Sequence, residues 1–219
     1  MKTTTQRISG LYAVTPEWDD TGRLLQAVGL CLQGGAQWIQ YRNKSGDVAQ
    51  QHEQASELLE LCRRSGARLI VNDNLRLADL IDADGVHLGK DDPSVREARI
   101  ILGPKKIIGV SCYNSVQQAL DAEAAGADYA AFGSFFASAT KPQAVSAPLS
   151  LLRDAKRRLT IPVVAIGGIT PANAGSLVEA GADALAVIAA LFDSPDITAT
   201  AQQFASLFHP SQSELRITP

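Results

Sequence analysis

Three side chains that can bind anions follow one another in the segment Gln40-Tyr41-Arg42-Asn43-Lys44, at the end of a short apolar run. Side chains alternate between the two faces of a strand, so Gln40 and Arg42 share a face and Lys44 lies just beyond it. A charged arginine at the end of an apolar strand is costly unless an anion pairs with it. The segment therefore predicts an anion-binding site, with an ion pair between Arg42 and a neighbouring strand as the alternative interpretation.

Two aspartates follow the next two apolar runs, in Val71-Asn72-Asp73 and in His87-Leu88-Gly89-Lys90-Asp91-Asp92. On neighbouring parallel strands, about 4.8 Å apart, Asp73 and Asp92 can approach each other. Close carboxylates repel unless a cation lies between them, and oxygen ligands without added His or Cys favour Mg²⁺. Helix capping is the alternative, which suits Asp92 because Pro93 follows it. We interpret His87 as a buried, hydrogen-bonded residue rather than a base.

Two further segments are suited to phosphate. The stretch from Phe135 to Ala147 has neither helical nor strand periodicity, and loops of that length are often functional. Its Ser138, Thr140 and Lys141 could close on phosphate oxygens, although an ordinary polar loop would look the same. Gly167-Gly168 follows another apolar run, and glycines there let backbone N–H groups approach a ligand.

These sites require a scaffold that brings the ends of several strands together. Short apolar runs alternate with segments of helical spacing such as Val48–Ser65 and Ser115–Ala125, which predicts parallel strands joined by helices. Eight such units favour an α/β fold closed into a (β/α)8 TIM barrel, with ligands at the carboxyl ends of the strands. An open doubly wound sheet is the alternative, but Val14-Thr15-Pro16-Glu17 lacks its glycine-rich fingerprint. The predicted strands are Leu11–Thr15, Trp38–Arg42, Arg68–Asp73, Gly85–Gly89, Ile107–Cys112, Tyr129–Ser134, Pro162–Gly168 and Ala184–Leu191.

Helix ends are also visible in the sequence. Glycine can take the left-handed conformation that closes a helix, and it recurs in Gly34-Gly35-Ala36, Ser65-Gly66-Ala67, Ala125-Gly126-Ala127 and Ala180-Gly181-Ala182. Asp92-Pro93 and Thr170-Pro171 each predict a helix start. No linker divides residues 1–219, so we expect a single domain, with residues 1–10 and 209–219 as flexible tails.

Composition narrows the classes of function. The 219 residues are 46% hydrophobic and carry a net charge of -3, which suits an ordered core and argues against a nucleic-acid partner. No apolar run reaches the roughly 18 residues of a membrane span, so we expect a cytoplasmic protein with no membrane partner. The anion-binding residues at the strand ends predict small-molecule partners instead. The three cysteines lack metal spacing and are expected to be reduced core residues. A homo-oligomer is compatible with all of this.

Read in order, the strand ends closely resemble the thiamine phosphate synthase family from Leu11 to Leu191. Each motif is weak alone, but their combination at these spacings is highly specific. The matching motifs are Gln40-x-Arg42-x-Lys44, Val71-Asn72-Asp73, Gly85-Val86-His87-Leu88-Gly89-x-x-Asp92, Gly109-Val110-Ser111, Thr140-Lys141 and Ile166-Gly167-Gly168-Ile169.

The resemblance implies a transferase that joins 4-amino-2-methyl-5-hydroxymethylpyrimidine diphosphate to thiazole phosphate in thiamine biosynthesis, through a dissociative, carbocation-like path. It implies Mg²⁺ as cofactor on Asp73 and Asp92, and catalytic roles for Arg42, Lys44, Ser111 and Lys141. The residues implied to hold the pyrimidine diphosphate are Gln40, Arg42, Lys44, Asn72 and Lys141, with Ser111 beside the pyrimidine. Those implied for the thiazole phosphate are Ser138, Thr140, Gly168, Ile188 and Ala189.

Three positions depart from the family pattern. Asn74 stands where Arg or Asp is frequent, and Ser138 replaces a usual Thr while keeping the hydroxyl. Ala189 replaces a frequent Ser, which puts one hydrogen bond to the thiazole phosphate in doubt. The alternatives are a thiazole tautomerase, a non-catalytic related barrel, or another phosphate-binding barrel such as an isomerase or aldolase. The first would not need Arg42, Lys44, Asp73, Asp92 and Lys141 together. The last would need a committed base or a Schiff-base lysine on a strand.

Overall fold

Eight parallel strands pair in sequence order, and the last pairs with the first to close a barrel. The structure is a computed structural model that describes residues 7–44, 47–137 and 147–208. The predicted (β/α)8 barrel is confirmed. The strands are β1 (Gly10–Val14), β2 (Trp38–Tyr41), β3 (Arg68–Asn72), β4 (Gly85–Leu88), β5 (Ile107–Tyr113), β6 (Tyr129–Phe132), β7 (Val163–Ile166) and β8 (Ala184–Val187). The helices are α1 (Thr21–Gln33), α2 (Val48–Arg64), α3 (Leu75–Leu80), α4 (Val95–Leu102), α5 (Val116–Ala125), α6 (Leu149–Arg158), α7 (Pro171–Glu179), α8 (Ala189–Phe192) and α9 (Ile197–Ser206).

The strands separate two apolar layers. On β2, Trp38 packs inside the barrel, whereas Ile39 and Tyr41 pack between the strands and the helices. This is the alternation that the sequence of β2 predicts. The three cysteines, Cys31, Cys62 and Cys112, lie buried and unpaired in the outer layer, where burial raises the pKa of each thiol to about 12. No helix in the described ranges is long and apolar enough to cross a membrane.

Three aspartates join neighbouring strands at the amino-terminal end of the barrel. Each stands just before a strand, and its carboxylate accepts the backbone N–H of a residue on the preceding strand. The bonds run to Asp84 from Leu69 (2.9 Å), to Asp128 from Ile108 (2.8 Å) and to Asp183 from Val163 (2.8 Å). This end of a barrel serves stability, so the opposite end is left for ligands.

The predicted helix starts divide into one that is confirmed and one that is wrong. Thr170 is the N-cap of α7, and Pro171 is its first residue. Asp92-Pro93 does not begin α4, because Ser94 is its N-cap and forms a capping box with Glu97. The Asp92 carboxylate instead accepts the backbone N–H of Gly89 at 2.6 Å. The helix-cap interpretation of Asp92 is therefore excluded.

The ends of β1 to β7 differ from the predicted strands by only one or two residues, and two other predicted boundaries change more. The apolar run Ala184–Leu191 is only half strand, since β8 ends at Val187 and the chain then turns into α8 with Ile188 as its N-cap. The expected N-terminal tail of residues 1–10 overlaps the barrel: Ile8 is buried in the interior layer and Gly10 begins β1. The glycines predicted to end helices do have positive φ, namely Gly35 (99°), Gly66 (69°), Gly126 (100°) and Gly181 (105°).

Gly109 of β5 leaves the space that the Tyr129 side chain fills. A Cβ atom at Gly109 would lie 1.9 Å from Tyr129 Cζ and 2.3 Å from its hydroxyl oxygen. We expect Gly109→Ala to lower the free energy of unfolding by about 1–3 kcal/mol, because the ring must move within a packed interior. Gly175→Ala is the matched control: α7 has open space there, so alanine should stabilise the fold by roughly 0.5–1 kcal/mol. Urea unfolding measures the free energy of unfolding of both variants. Equal free energies for Gly109→Ala and Gly175→Ala would contradict the packing argument.

Candidate active site

Asp73 and Asp92 converge at the carboxyl-terminal rim, as predicted. Asp73 follows β3 with a φ of 61°, and its backbone N–H donates to the carbonyl of His87 on β4 at 2.8 Å. A Cβ atom placed on Gly89 would lie 3.2 Å from Asp92 Oδ2 and 4.0 Å from Asp73 Oδ1, so both carboxylates border this residue. Burial, followed by the hydrogen bond and negative charge of Asp73, raises the pKa of Asp92, although the N–H of Gly89 opposes the shift.

Two cations of the predicted anion site lie at this rim, and each pairs with a carboxylate. Lys44 Nζ is 3.0 Å from Asp73 Oδ2, which joins the end of β2 to the carboxylate pair. Arg42 forms an ion pair with Glu17, in the loop after β1. Arg42 does form an ion pair, as the alternative interpretation expected, but its partner lies in a loop and not on a neighbouring strand. Because both side chains of that pair remain partly exposed, the guanidinium is still accessible to a ligand.

A row of polar side chains crosses the barrel interior beneath the rim. Gln40 Nε2 donates to the Tyr12 hydroxyl at 2.8 Å, and this hydroxyl is 2.8 Å from that of Tyr129. His87 lies between the Tyr129 hydroxyl, 2.9 Å from its Nδ1, and Ser111 Oγ, 2.8 Å from its Nε2. The structure therefore brings Gln40 and Ser111, both predicted site residues, to opposite ends of one hydrogen-bonded chain.

His87 is buried, as predicted from the sequence. Burial lowers the pKa of its imidazole to about 4, against an opposing influence of Asp73. The ring is therefore neutral at pH 7 and carries a single N–H. It stacks against the Tyr129 ring, with centroids 5.6 Å apart. A pKa of about 4 makes the buried imidazole a weak base, so we interpret His87 as a structural and hydrogen-bonding residue.

The far side of the rim contains the predicted Gly-Gly turn. Gly168 has a φ of 62°, and a Cβ atom there would lie 2.5 Å from the carbonyl oxygen of Ala137. No side chain fits, so the chain after β7 packs directly on the segment after β6. Ile188 and Ala189 stand at the start of α8, after the neighbouring strand β8. These backbones form a second face of the rim, across the barrel from Asp73.

The remaining predicted residues have mixed outcomes. Asn72 ends β3 in register with His87, next to the carboxylate pair. Asn74, a departure from the family pattern, is the N-cap of α3 and accepts the N–H of Leu77 at 3.0 Å. Its side chain thus serves the helix rather than a ligand. Ser138, Thr140 and Lys141 lie outside the described residues, so their assignments stay predictions.

Sequence reasoning missed Glu17, Tyr12 and Tyr129. The alternation of β1 and β6 could have placed both tyrosines inside the barrel, because each lies two residues from another interior position. Nothing in the sequence joined them to Gln40 and His87. Glu17 stands in an irregular loop, so its contact with Arg42 depends on the path of that loop.

Comparison with known proteins agrees with this geometry. The sequence model of the family described as thiamine monophosphate synthase matches residues 11–191. A thiamine-phosphate synthase of Thiobacillus denitrificans is 60% identical over 205 residues, which cover 94% of this chain and 97% of that protein. One from Chromobacterium violaceum is 53% identical, covering 92% and 97%. The solved thiamine phosphate pyrophosphorylase of Pyrococcus furiosus superposes with a TM-score of 0.80 at 35% identity, covering 91% and 95% of the two chains.

Proposed function

The chain belongs to the thiamine monophosphate synthase family, and on that premise we propose that it joins 4-amino-2-methyl-5-hydroxymethylpyrimidine diphosphate to thiazole phosphate. The products are thiamine phosphate and diphosphate. The observation that carries the proposal is the clustering at one rim of two cationic strand-end residues, Arg42 and Lys44, with the carboxylates of Asp73 and Asp92. The relatives named thiamine-phosphate synthase support the same activity.

The proposed chemistry needs charge stabilisation more than proton transfer. The C–O bond between the pyrimidine methylene and the diphosphate breaks, and diphosphate leaves with the electron pair. The thiazole nitrogen then forms the new C–N bond with the methylene. Arg42 and Lys44 would hold the leaving diphosphate and offset its growing negative charge, with Asn72 and Lys141 beside them. A neutral, buried His87 accords with a reaction that requires no strong base.

Mg²⁺ is proposed as the cofactor, with Asp73 and Asp92 as its protein ligands. The donor set fits this ion: the two carboxylates are close enough for Asp73 to raise the pKa of Asp92. Within the described ranges no cluster of three or more His, Cys, Asp or Glu side chains could hold a metal. Two carboxylates suffice for Mg²⁺ where substrate phosphates and water complete its shell. When bound, the ion would neutralise charge on the leaving diphosphate.

The thiazole phosphate is proposed to bind on the opposite face of the rim. Gly168 and the backbone of Ile188 and Ala189 would supply N–H donors, and Ser138 and Thr140 would supply hydroxyls. The Ala189 position lacks the hydroxyl that is frequent in the family, so backbone donors would carry more of the binding there.

A cytoplasmic location and assembly into a homo-oligomer also stay predictions.

A thiazole tautomerase is the nearest competing function, and a non-catalytic barrel is the next. A tautomerase acts on the thiazole alone and would not need both a diphosphate-binding site and a carboxylate pair. A barrel that only binds a ligand would not need the arrangement of Lys44, Asp73 and Asp92. Both alternatives are tested by the same assay.

We expect the purified chain to convert the two substrates to thiamine phosphate with Mg²⁺ present, and to lose most of the rate after treatment with EDTA. Liquid chromatography of thiamine phosphate follows the reaction. Re-addition of Mg²⁺ is the control and should restore the rate. Absence of product at saturating Mg²⁺ would exclude the proposed transferase. An equal rate with and without EDTA would exclude the proposed cofactor alone.

A further inference from the structure

A buried glutamine interrupts the apolar face of α2. Gln54 lies in the same buried face as Ala55, Leu58, Leu59 and Cys62. An apolar residue at position 54 would continue that face. Burying an amide costs free energy unless its polar atoms are hydrogen-bonded. The hydrogen bonds of Gln54 therefore explain why an amide stands at this position.

Gln54 binds two segments at once. Its Nε2 donates to the backbone carbonyl of Trp18, in the loop after β1, at 2.9 Å. Its Oε1 accepts from the Tyr41 hydroxyl at 2.9 Å and from Asn43 Nδ2 at 3.3 Å. Tyr41 is the last residue of β2, and Asn43 follows it in the next loop. One buried amide thus joins the chain after β1 to the end of β2.

The partners of Gln54 fix the orientation of its amide. A backbone carbonyl can only accept, so the Gln54 atom that faces the carbonyl of Trp18 must be the nitrogen. In the turned amide two carbonyl oxygens would face each other, and neither would receive a hydrogen there. Burial raises the pKa of Tyr41 to about 12, so its hydroxyl keeps the hydrogen that it donates to Oε1.

Arg42 stands between the two residues that Gln54 holds at the end of β2. Side chains alternate along an extended chain, so Tyr41 and Asn43 point towards the helices and Arg42 points towards the barrel mouth. The backbone N–H of Arg42 donates to Thr15 Oγ1 at 2.9 Å. Holding both neighbours on the helix side restricts the direction in which the Arg42 side chain leaves the backbone. A ligand-binding side chain is effective only when its supports are rigid.

We propose that Gln54 is a positioning residue that directs Arg42 towards a diphosphate ligand. Here the inference rests on the proposed function, in which Arg42 binds the leaving diphosphate. Gln54 lies on the helix side of β2, so it acts through the chain on either side of Arg42 and not by contact with the ligand.

The loop after β1 has supports besides Gln54. The Trp18 ring packs edge-on against the Phe192 ring, with centroids 6.0 Å apart. Gln50 Nε2 donates to the backbone carbonyl of Asp19 at 3.1 Å. We therefore expect this loop to keep its place when the Gln54 amide is lost. The main effect of that loss is expected at the end of β2, where Arg42 stands.

Gln54→Met tests this expectation, because methionine keeps the length of the side chain but removes its three hydrogen bonds. We expect the affinity for inorganic diphosphate with Mg²⁺, measured by isothermal titration calorimetry, to fall about tenfold, since Arg42 would be misplaced. Gln50→Met is the matched control. It is the same substitution one turn earlier on α2, and it removes an exposed bond to the loop after β1. Its affinity should change less than twofold, and equal affinities in the two variants would contradict the proposal.

A double-mutant cycle distinguishes positioning of Arg42 from a merely structural role. If Gln54 acts through Arg42, adding Gln54→Met to Arg42→Gln should weaken diphosphate binding by less than twofold. A structural role would weaken binding about tenfold in both backgrounds, and that result would overturn the proposal.

Tyr41→Phe is a milder variant for the same cycle, and it decides the question if Gln54→Met does not fold. It removes only the bond from the Tyr41 hydroxyl to Gln54. We expect a loss of affinity of roughly threefold in the wild-type background and none in the Arg42→Gln background. Equal losses in both backgrounds would overturn the proposal here too.

The calorimetry requires no turnover, so its outcome is separate from that of the activity assay. If the coupling between Gln54 and Arg42 is found but the wild type forms no thiamine phosphate, the proposed function fails while the positioning role stands. If thiamine phosphate forms but Gln54→Met binds diphosphate as tightly as the wild type, only the positioning role fails.

Discussion

Replacing Asp73 by asparagine is expected to lower the Mg²⁺-dependent rate of thiamine phosphate formation by about 10²–10³-fold. The variant removes one of two carboxylates that face each other at the rim. Asparagine tolerates the φ of 61° at this position, so the turn after β3 should survive. The lost ion pair with Lys44 is largely exposed and contributes little stability. The fold should therefore be intact, and the loss should appear as a higher Mg²⁺ requirement and a lower kcat.

Asp91→Asn is the matched control, since Asp91 is exposed and adjacent to Asp92 in the chain. It removes the same charge from the neighbouring loop, after β4, without touching either carboxylate of the pair. Steady-state rates over a range of Mg²⁺ concentrations compare the two variants, and circular dichroism checks the fold. Similar losses in both would mean that general negative charge, and not a specific ligand, supports the reaction. An unchanged rate in Asp73→Asn would remove Asp73 from the metal site.

The convergence of Asp73 and Asp92 could be predicted because barrel geometry fixes it. Consecutive strands of a barrel are neighbours, so residues that follow β3 and β4 must meet, whatever the intervening helix does. The same rule placed Gln40 and Ser111 at the mouth. The position of a residue relative to its strand end was sufficient, and no knowledge of the loops was needed.

The errors arose where two local signals compete. Asp92-Pro93 and Ser94-x-x-Glu97 both predict a helix start, and the second prevails because it satisfies two backbone groups reciprocally. The run Ala184–Leu191 is apolar throughout, so its pattern cannot distinguish a buried strand from a buried helix. Only the closure of β8 against β1, ending at Val187, decides the boundary.

The interior chain could not be predicted for a different reason. Tyr12 and Tyr129 are 117 residues apart, and their contact depends on the stagger of the whole barrel. It also depends on a missing side chain, since any Cβ on Gly109 would occupy the space of the Tyr129 ring. Absence of a side chain carries no signal in one sequence. Long-range register and empty space are thus the two features that required the structure.

Replacing Arg42 by glutamine is expected to reduce kcat/KM for the pyrimidine diphosphate by about 10²-fold, because a guanidinium can bind diphosphate oxygens in pairs. Arg42→Lys should recover only part of this, since lysine lacks the planar fork. Arg76→Gln, at an exposed arginine of α3, is the control for loss of a positive charge. Steady-state kinetics with the pyrimidine diphosphate as the varied substrate measures all three.

A variant of Glu17 can distinguish between two roles of Arg42, namely binding of a ligand and a purely structural ion pair. In the described structure the Glu17 carboxylate binds the Arg42 guanidinium, which diphosphate would also bind. Glu17 therefore competes with diphosphate for Arg42. Glu17→Gln should therefore keep activity and strengthen inhibition by inorganic diphosphate, whereas Arg42→Gln should weaken that inhibition. A structural pair would behave differently, because both variants would then lower stability alike and leave diphosphate inhibition unchanged. Opposite effects of the two variants on diphosphate inhibition would show that Arg42 binds diphosphate. They would also show that Glu17 takes the place of diphosphate when no ligand is bound.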